Sequence, residues 1–297
     1  MTAPLSHAGL RLLHVHAHPD DESSKGAATS AYYLARGARV LVATCTGGER
    51  GDILNPAMDT PENWARLPQL RREEMAEAAR VLGVEQVWLG FPDSGFPDPQ
   101  DPEPLDPGCF AAQDVDEAAG RLVKVIREFR PHVVTTYDES GGYPHPDHVM
   151  VHKVTMAAVD AAADPAKWPE HGAAWDVPKL YYDVVMRRAR FAALDAAMRA
   201  AGLESPYAER LARMPDDAEA ARQATTRIPC GDYFETRDRA LLAHATQVDP
   251  NGGWFVVPLA IQKRAWPTED YRLVRSLVET AVPEDDLFAG ISLDGAS

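Results

Sequence analysis

Four short apolar runs, RLLHVHA (11–17), RVLVATCT (39–46), EQVWLGF (85–91) and HVVTTY (132–137), are separated by segments of helical periodicity at 24–36, 68–82 and 115–129. The runs are continuously apolar rather than alternating, the mark of strands covered on both faces by helices, as in a parallel sheet. This β-α-β-α order predicts an α/β, Rossmann-like fold with a mostly parallel sheet and helices on both faces. A fifth strand is expected at KLYYDVVM (179–186), after a long helical pattern that begins near His148. Beyond residue 188 the pattern turns alanine-rich and helical, with another helix over FETRDRALLAHATQ. Residues 1–187 therefore read as the core, and 188–297 as a mainly helical C-terminal extension packed on it and helping to close a pocket, one domain overall. The proline- and acid-rich stretch 96–109 reads as a loop or rim segment.

Each of the first four strands leads into a polar cluster: HPDDE (18–22), GGERGD (47–52), PDSG (92–95) and YDESGGYPHPDH (137–148). All four lie at carboxyl ends of strands, where the loops of an open α/β sheet converge on one crevice. Three adjacent acids, Asp20, Asp21 and Glu22, are tolerated in an ordered site only with positive charge among them or with protons on them. His18 and Asp21, together with His148, offer two imidazoles and a carboxylate, the number and type of ligands of a catalytic zinc site, and the same donors accept ferrous iron. With Asp21 as ligand, Asp20 is free to act as general base toward water on the metal. Glu22 is left to support the ligands or the helix that follows.

Pro146, between His145 and His148, argues against a helix through that turn. His145 is expected to face a substrate carbonyl and, when protonated, to stabilise the oxyanion or pass a proton to the leaving amine; Tyr143 is a second oxyanion donor, and Asp147 orients an imidazole. His14, His132, His152 and His171 read as ordinary surface or hydrogen-bonded residues. His16 shares a strand face with His18.

Composition narrows the partners. A net charge of −15 gives no footprint for nucleic acid. No run of about 18 apolar residues exists to span a membrane, and the start MTAPLSHAGL has no secretory signal pattern. Three cysteines without a CxxC pair suit a reducing compartment, so a cytoplasmic location is expected. Nothing in the sequence sets an oligomeric state. A metal-free nucleotide- or sugar-binding module on such a sheet is disfavoured, because the first strand leads to HPDDE and not to G-x-G-x-x-G.

HPDDE at 18–22 together with GGYPHPDH at 141–148 resembles the LmbE-like family of zinc-dependent N-acetylglucosamine deacetylases and related amidases. The resemblance implies Zn2+ held by His18, Asp21 and His148, Asp20 as general base, and His145 as the group that stabilises the transition state. Longer stretches, 16–29, 46–59, 141–153 and 244–250, are similar to members that hydrolyse an amide on the sugar nitrogen of glucosaminyl-inositol. The implied partner is a small-molecule thiol S-conjugate, split into an N-acylcysteine conjugate and the amino-sugar. The alternatives are removal of acetate from N-acetylglucosaminyl-inositol and a related thiol-conjugate amidase of secondary metabolism.

The same resemblance places Arg71, at the start of R-x-x-E-x-x-x-A-x-x-x-L-G, and Asp93 on sugar and inositol hydroxyls, with Glu49 as a further substrate contact and His244 closing the pocket. Lys25 opposes the dipole of the first helix, a local cost of up to about 1 kcal/mol that suggests a functional reason. In the amidase pattern this position is Lys, in the acetyl-removing sister a small polar residue, so Lys25 is expected on the acyl-cysteine side.

Overall fold

The computed structural model describes residues 7–97, 104–214 and 223–293; residues 98–103 of the 96–109 segment lie outside them. The expected strands form as β1 (Arg11–His16), β2 (Arg39–Thr46), β3 (Glu85–Phe91), β4 (Val133–Thr136) and β5 (Lys179–Asp183). Between them lie α1 (Asp21–Ser24), α2 (Ala27–Leu34), α3 (Pro61–Ala65), α4 (Leu67–Leu82), α5 (Val115–Phe129) and α6 (Pro146–Ala163). The helix expected over 24–36 is broken at Gly26, whose φ of 86° lies in the left-handed region that glycine adopts without a Cβ penalty. Helix α6 begins on Pro146 itself: proline at the first helical position surrenders an N–H that would have had no partner, so it starts the helix rather than preventing it.

The sheet order is β3-β2-β1-β4-β5-β7-β6, parallel from β3 through β5. Strand β1 is flanked by β2 on one side and β4 on the other, so the loops after β1 and β4 part at a topological switch point and leave a crevice there. Successive side chains of β1 point to opposite faces. Leu13 and Val15 pack with Leu122, Ile126 and Val151 beneath α5 and α6, and Leu12 packs with Tyr33, Val133 and Tyr181 on the other face. Each such fully buried aliphatic side chain contributes roughly 1.5–3 kcal/mol.

The C-terminal part contains α7 (Arg188–Ala200), α8 (Ala208–Arg213), α9 (Phe234–Ala243) and α10 (Leu259–Ala265). It also supplies β6 (Thr226–Ile228) and β7 (Glu269–Ser276), two strands that the helical reading of this part does not contain. Strand β7 runs antiparallel to β5 and β6 at the edge of the sheet. β6 has only three residues, and EDYRLVRS is half-buried and charged, so neither shows the apolar run that marks a central strand. Among the described residues no helix is long and apolar enough to cross a membrane.

Candidate metal centre

The turn after β1 is set by Asp20, a non-glycine residue at φ 98°, an uncommon and strained conformation held by what surrounds it. Its amide donates to Glu22 Oε2 at 3.0 Å, and the amide of His18 donates to Asp21 Oδ2 at 3.0 Å. This crossing of bonds turns Asp21 back toward His18 and leaves Asp20 pointing elsewhere. Tyr137, at the end of β4, donates its hydroxyl to Asp21 Oδ2 at 2.7 Å and accepts from the Ala17 amide at 3.0 Å, tying the two sides of the switch point together.

His18, Asp21 and His148 meet there, with one potential ligand atom from each lying within 4.8 Å of the others. His18 Nδ1 is 3.6 Å and His148 Nε2 3.4 Å from Asp21 Oδ2. His148 Nδ1 donates to the carbonyl of Gly141 at 3.0 Å, which turns Nε2 toward the cluster. His18 Nε2 donates to Asp147 Oδ2 at 3.1 Å, leaving Nδ1 for the cluster. A second group, His18, His145 and Asp147, is also close enough to share an ion. In that group His18 Nε2 is taken by the Asp147 carboxylate and His145 Nδ1 by the Asp147 amide, whereas in the first set His18 Nδ1 and His148 Nε2 both face Asp21, so the first set is the better donor set.

The electrostatics fit a cation. Burial alone would raise the pKa of Asp21, yet Lys25 and His148 hold it well below the usual carboxylate range. Burial also works against a charged His18, yet Asp147, Asp21 and Asp93 hold its pKa well above the ordinary imidazole value. Buried carboxylates that retain an imidazole proton are short of positive charge, which is what a divalent ion bound by these nitrogen and oxygen donors would bring.

Asp20 stands beside the set. Its pKa is raised by burial, against the pull of Arg71, whose Nη2 is 3.4 Å from Asp20 Oδ2 and 2.8 Å from the Pro19 carbonyl. His145 is the N-cap of α6: its Nδ1 accepts from the amide of Asp147 at 3.1 Å, which puts the ring proton on Nε2. Burial, followed by the nearby His18 and His148, pushes its pKa down to about 3. The N-cap bond thus leaves Nε2–H as the donor that the ring presents outward. The exposed Tyr143 has its hydroxyl 3.5 Å from His148 Nε2.

The residues expected on substrate are brought to the same edge of the sheet and are largely occupied by protein. Lys25 Nζ lies 2.5 Å from Asp21 Oδ1 and borders a cavity of about 250 Å3 that also touches Asp20, Asp21 and Tyr143. Arg71 is buried under the HPDDE turn. Glu49 accepts from the amide of Asp93 at 2.9 Å, and Asp93 accepts from the amides of Arg50 and Gly95, each at 2.9 Å. His244 has no exposed surface and grips Glu22 Oε1 at 2.7 Å. A fully enclosed ring has no free face for a ligand, so what it offers is support for the turn.

His14 is held by Thr135 and Ser30, and His152 bonds the Tyr137 carbonyl. His16 is buried, and among the described residues neither of its ring nitrogens finds a hydrogen-bond partner. Sequence reasoning missed Tyr137, Ser94 and Asp183. All three end or follow strands at the carboxyl edge, and that position was the available signal. Burial pushes the pKa of the Asp183 carboxyl up to about 8, against the pull of the nearby Lys25.

A switch-point cluster of two imidazoles and a carboxylate on a mostly parallel sheet defines a Rossmann-like protein with a site that could hold a metal ion. The fold is that of N,N'-diacetylchitobiose deacetylase from Pyrococcus horikoshii, with a TM-score of 0.61 at 17% identity over 89% of this chain and 83% of that one. Residues 13–159 match the family profile described as PIG-L, GlcNAc-PI de-N-acetylase. The chain is 58% identical to the mycothiol S-conjugate amidase of Streptomyces coelicolor over 95% of its own length and 97% of that protein. It is 42% identical to the 1D-myo-inositol 2-acetamido-2-deoxy-alpha-D-glucopyranoside deacetylase of Geodermatophilus obscurus, over 95% and 98%. This chain belongs to the GlcNAc-PI de-N-acetylase (PIG-L, LmbE-like) family.

Proposed function

We propose that this protein hydrolyses the amide of mycothiol S-conjugates, giving a mercapturic acid and glucosaminyl-inositol, with Zn2+ held by His18, Asp21 and His148. The observation that carries this reading is the 58% identity to an amidase along both chains, against 42% for a deacetylase matched over the same extent. When bound, the metal supplies Lewis acidity toward the scissile carbonyl and brings the pKa of water from 15.7 to roughly 7.

The chain's own groups do the rest. Asp20 takes the proton of the attacking water; burial raises its proton affinity, and Arg71 fixes its direction. His145 donates through Nε2–H to the oxygen on which charge develops, aided by the Tyr143 hydroxyl. Asp20, having taken the proton of the water, is placed to return it to the leaving amine. Asp147 holds His18, and Ser94 holds Asp147. The buried free cysteines suit a reducing, cytoplasmic setting for a thiol-detoxifying reaction.

The test is kcat/KM for a mycothiol bimane conjugate against N-acetylglucosaminyl-inositol, with bound metal counted in the same preparation. A preference of at least tenfold for the conjugate is expected. Preference for the acetyl compound would make the protein the deacetylase instead. Reloading the chelated protein with zinc or ferrous ion identifies the metal.

A further inference from the structure

Lys25 and Asp183 stand where two cavities meet. The smaller, of about 250 Å3, reaches the metal cluster. The larger, of about 800 Å3, opens from the same Lys25, Asp183 and Trp254 and runs beneath α7, α8 and α10. We propose that the larger cavity receives the sulfur substituent of the conjugate, and that Arg190 binds a hydrogen-bond-accepting or anionic group on it. This rests on the amidase reading.

Three observations carry the assignment. The first is adjacency: the two cavities share Ser24, Lys25, Asp183, Leu241 and Trp254 in their walls, so an acyl group seated at the cluster lies beside the larger space. The second is size and wall chemistry. A chamber of about 800 Å3 falls in the range that encloses drug-sized ligands, and release of acetate would make no use of it. Its walls include Phe191, Tyr207, Trp254 and Trp266, faces that suit a flat aromatic substituent.

The third is charge. Arg190 lines the cavity, its Nε is buried without a hydrogen-bond partner, and among the described residues no carboxylate pairs with it. Its neighbour Arg237 is already engaged, by Asp238 at 2.7 Å and Gln262 at 2.9 Å. Trp266, in the same wall, also has an unbonded ring N–H. Carboxylates line the cavity as well, Asp183, Glu269 and Asp270 among them, so the wall is not positive overall; the Arg190 Nε–H and the Trp266 ring N–H are its buried donors left without an acceptor among the described residues, and they are the pair open to an acceptor on the ligand.

The test uses the metal-loaded enzyme and two mercapturates, N-acetylcysteine S-bimane and S-methyl-N-acetylcysteine, with binding read by calorimetry. The wild type is expected to bind the bimane compound at least tenfold more tightly. Two variants probe the cavity, Arg190→Met and Gly253→Trp; Gly253 lines the cavity and a Cβ there meets nothing within 4 Å, so the added side chain starts in open space at the wall. Each should cut the bimane-to-methyl ratio at least fivefold, with thermal melts showing both variants folded. A wild type with no bimane preference, or a ratio unmoved in both variants, overturns the assignment. Turnover of the bimane conjugate is followed alongside: loss of turnover with the ratio behaving as expected removes the amidase reading alone, and intact turnover with an unmoved ratio removes the cavity assignment alone.

Discussion

Lys25 Nζ lies 2.5 Å from Asp21 Oδ1, while Oδ2 of the same carboxylate faces His18 and His148. One acid is thus shared between a fixed ammonium and the ion-binding cluster. Burial disfavours the charged lysine, yet Asp21 raises its pKa, so it remains a cation across the working pH range. Removing it by Lys25→Ser returns the full carboxylate charge to the cluster and opens space on the acyl side. Metal affinity should hold or rise severalfold, and the preference for conjugate over N-acetylglucosaminyl-inositol should fall about tenfold, worth about 1.4 kcal/mol of differential binding. An unchanged preference in paired kcat/KM measurements would remove Lys25 from substrate recognition.

Asp20 and His148 should separate cleanly. Asp20→Ala leaves the two imidazoles and Asp21 in place, so metal content should stay near one ion per chain while kcat drops by roughly 10²–10⁴, the usual contribution of a general base. His148→Ala removes a donor and should lose metal, with activity lost as a consequence. Metal counted by mass spectrometry on both variants distinguishes the roles; near-normal turnover of Asp20→Ala at saturating zinc would contradict the division of labour.

Much of this site was legible because strand ends are legible. HPDDE and HPDH each follow an apolar run, and the carboxyl edge of a parallel sheet brings such loops together whatever their separation in sequence. Orientation was harder to read. Arg71, Asp93 and His244 are ordinary polar letters on helices and loops, and only packing shows that Arg71 lies under the Pro19 carbonyl and that His244 is sealed against Glu22. The protonation of His145 depends on an N-cap bond to Asp147, which no spacing reveals. Strand β6 escaped because three residues, TRI, carry no period.

Asp147→Asn tests the support beneath His18. The carboxylate accepts from His18 Nε2 and from Ser94, and an amide can satisfy only part of that set. Loss of such a partner typically weakens metal binding 10–100-fold. Competition with a chromophoric chelator measures this directly. Ser94→Ala, which removes one of the bonds to Asp147, should show a smaller change in the same direction.

His132 gives a pH dependence far from the metal. Its Nδ1 accepts from the Arg11 amide at 3.1 Å, and burial, with Arg11 and Arg130 nearby, pushes its pKa down to about 4. An unfolded histidine titrates near 6.5, so between those values the unfolded chain holds more protons and stability rises with pH. The contribution is complete above about pH 6.5, declines as the pH falls and is exhausted near 4. Screening of the two arginines by solvent brings the expected swing to about 1–2 kcal/mol. Urea unfolding of the wild type and of His132→Asn over pH 4–7 should give a shallower slope for the variant.

Gly141 and Gly142 have nearly the same backbone, φ 73° and 75°, but different surroundings. A Cβ at Gly141 would stand 2.7 Å from the His148 Cβ and 2.9 Å from the Tyr143 carbonyl, whereas one at Gly142 meets nothing within 4 Å. Both alanine variants carry the strain of a left-handed residue, about 1–2 kcal/mol. Only Gly141→Ala also drives His148 off its position, and it does so at the residue whose carbonyl fixes the His148 tautomer. Gly142→Ala should therefore lower the melting temperature with metal affinity kept, and Gly141→Ala should lower both, the affinity by at least tenfold. Equal metal affinities in the two variants would show that the His148 loop relaxes freely, and that the close approach of Gly141 does not hold the cluster in place.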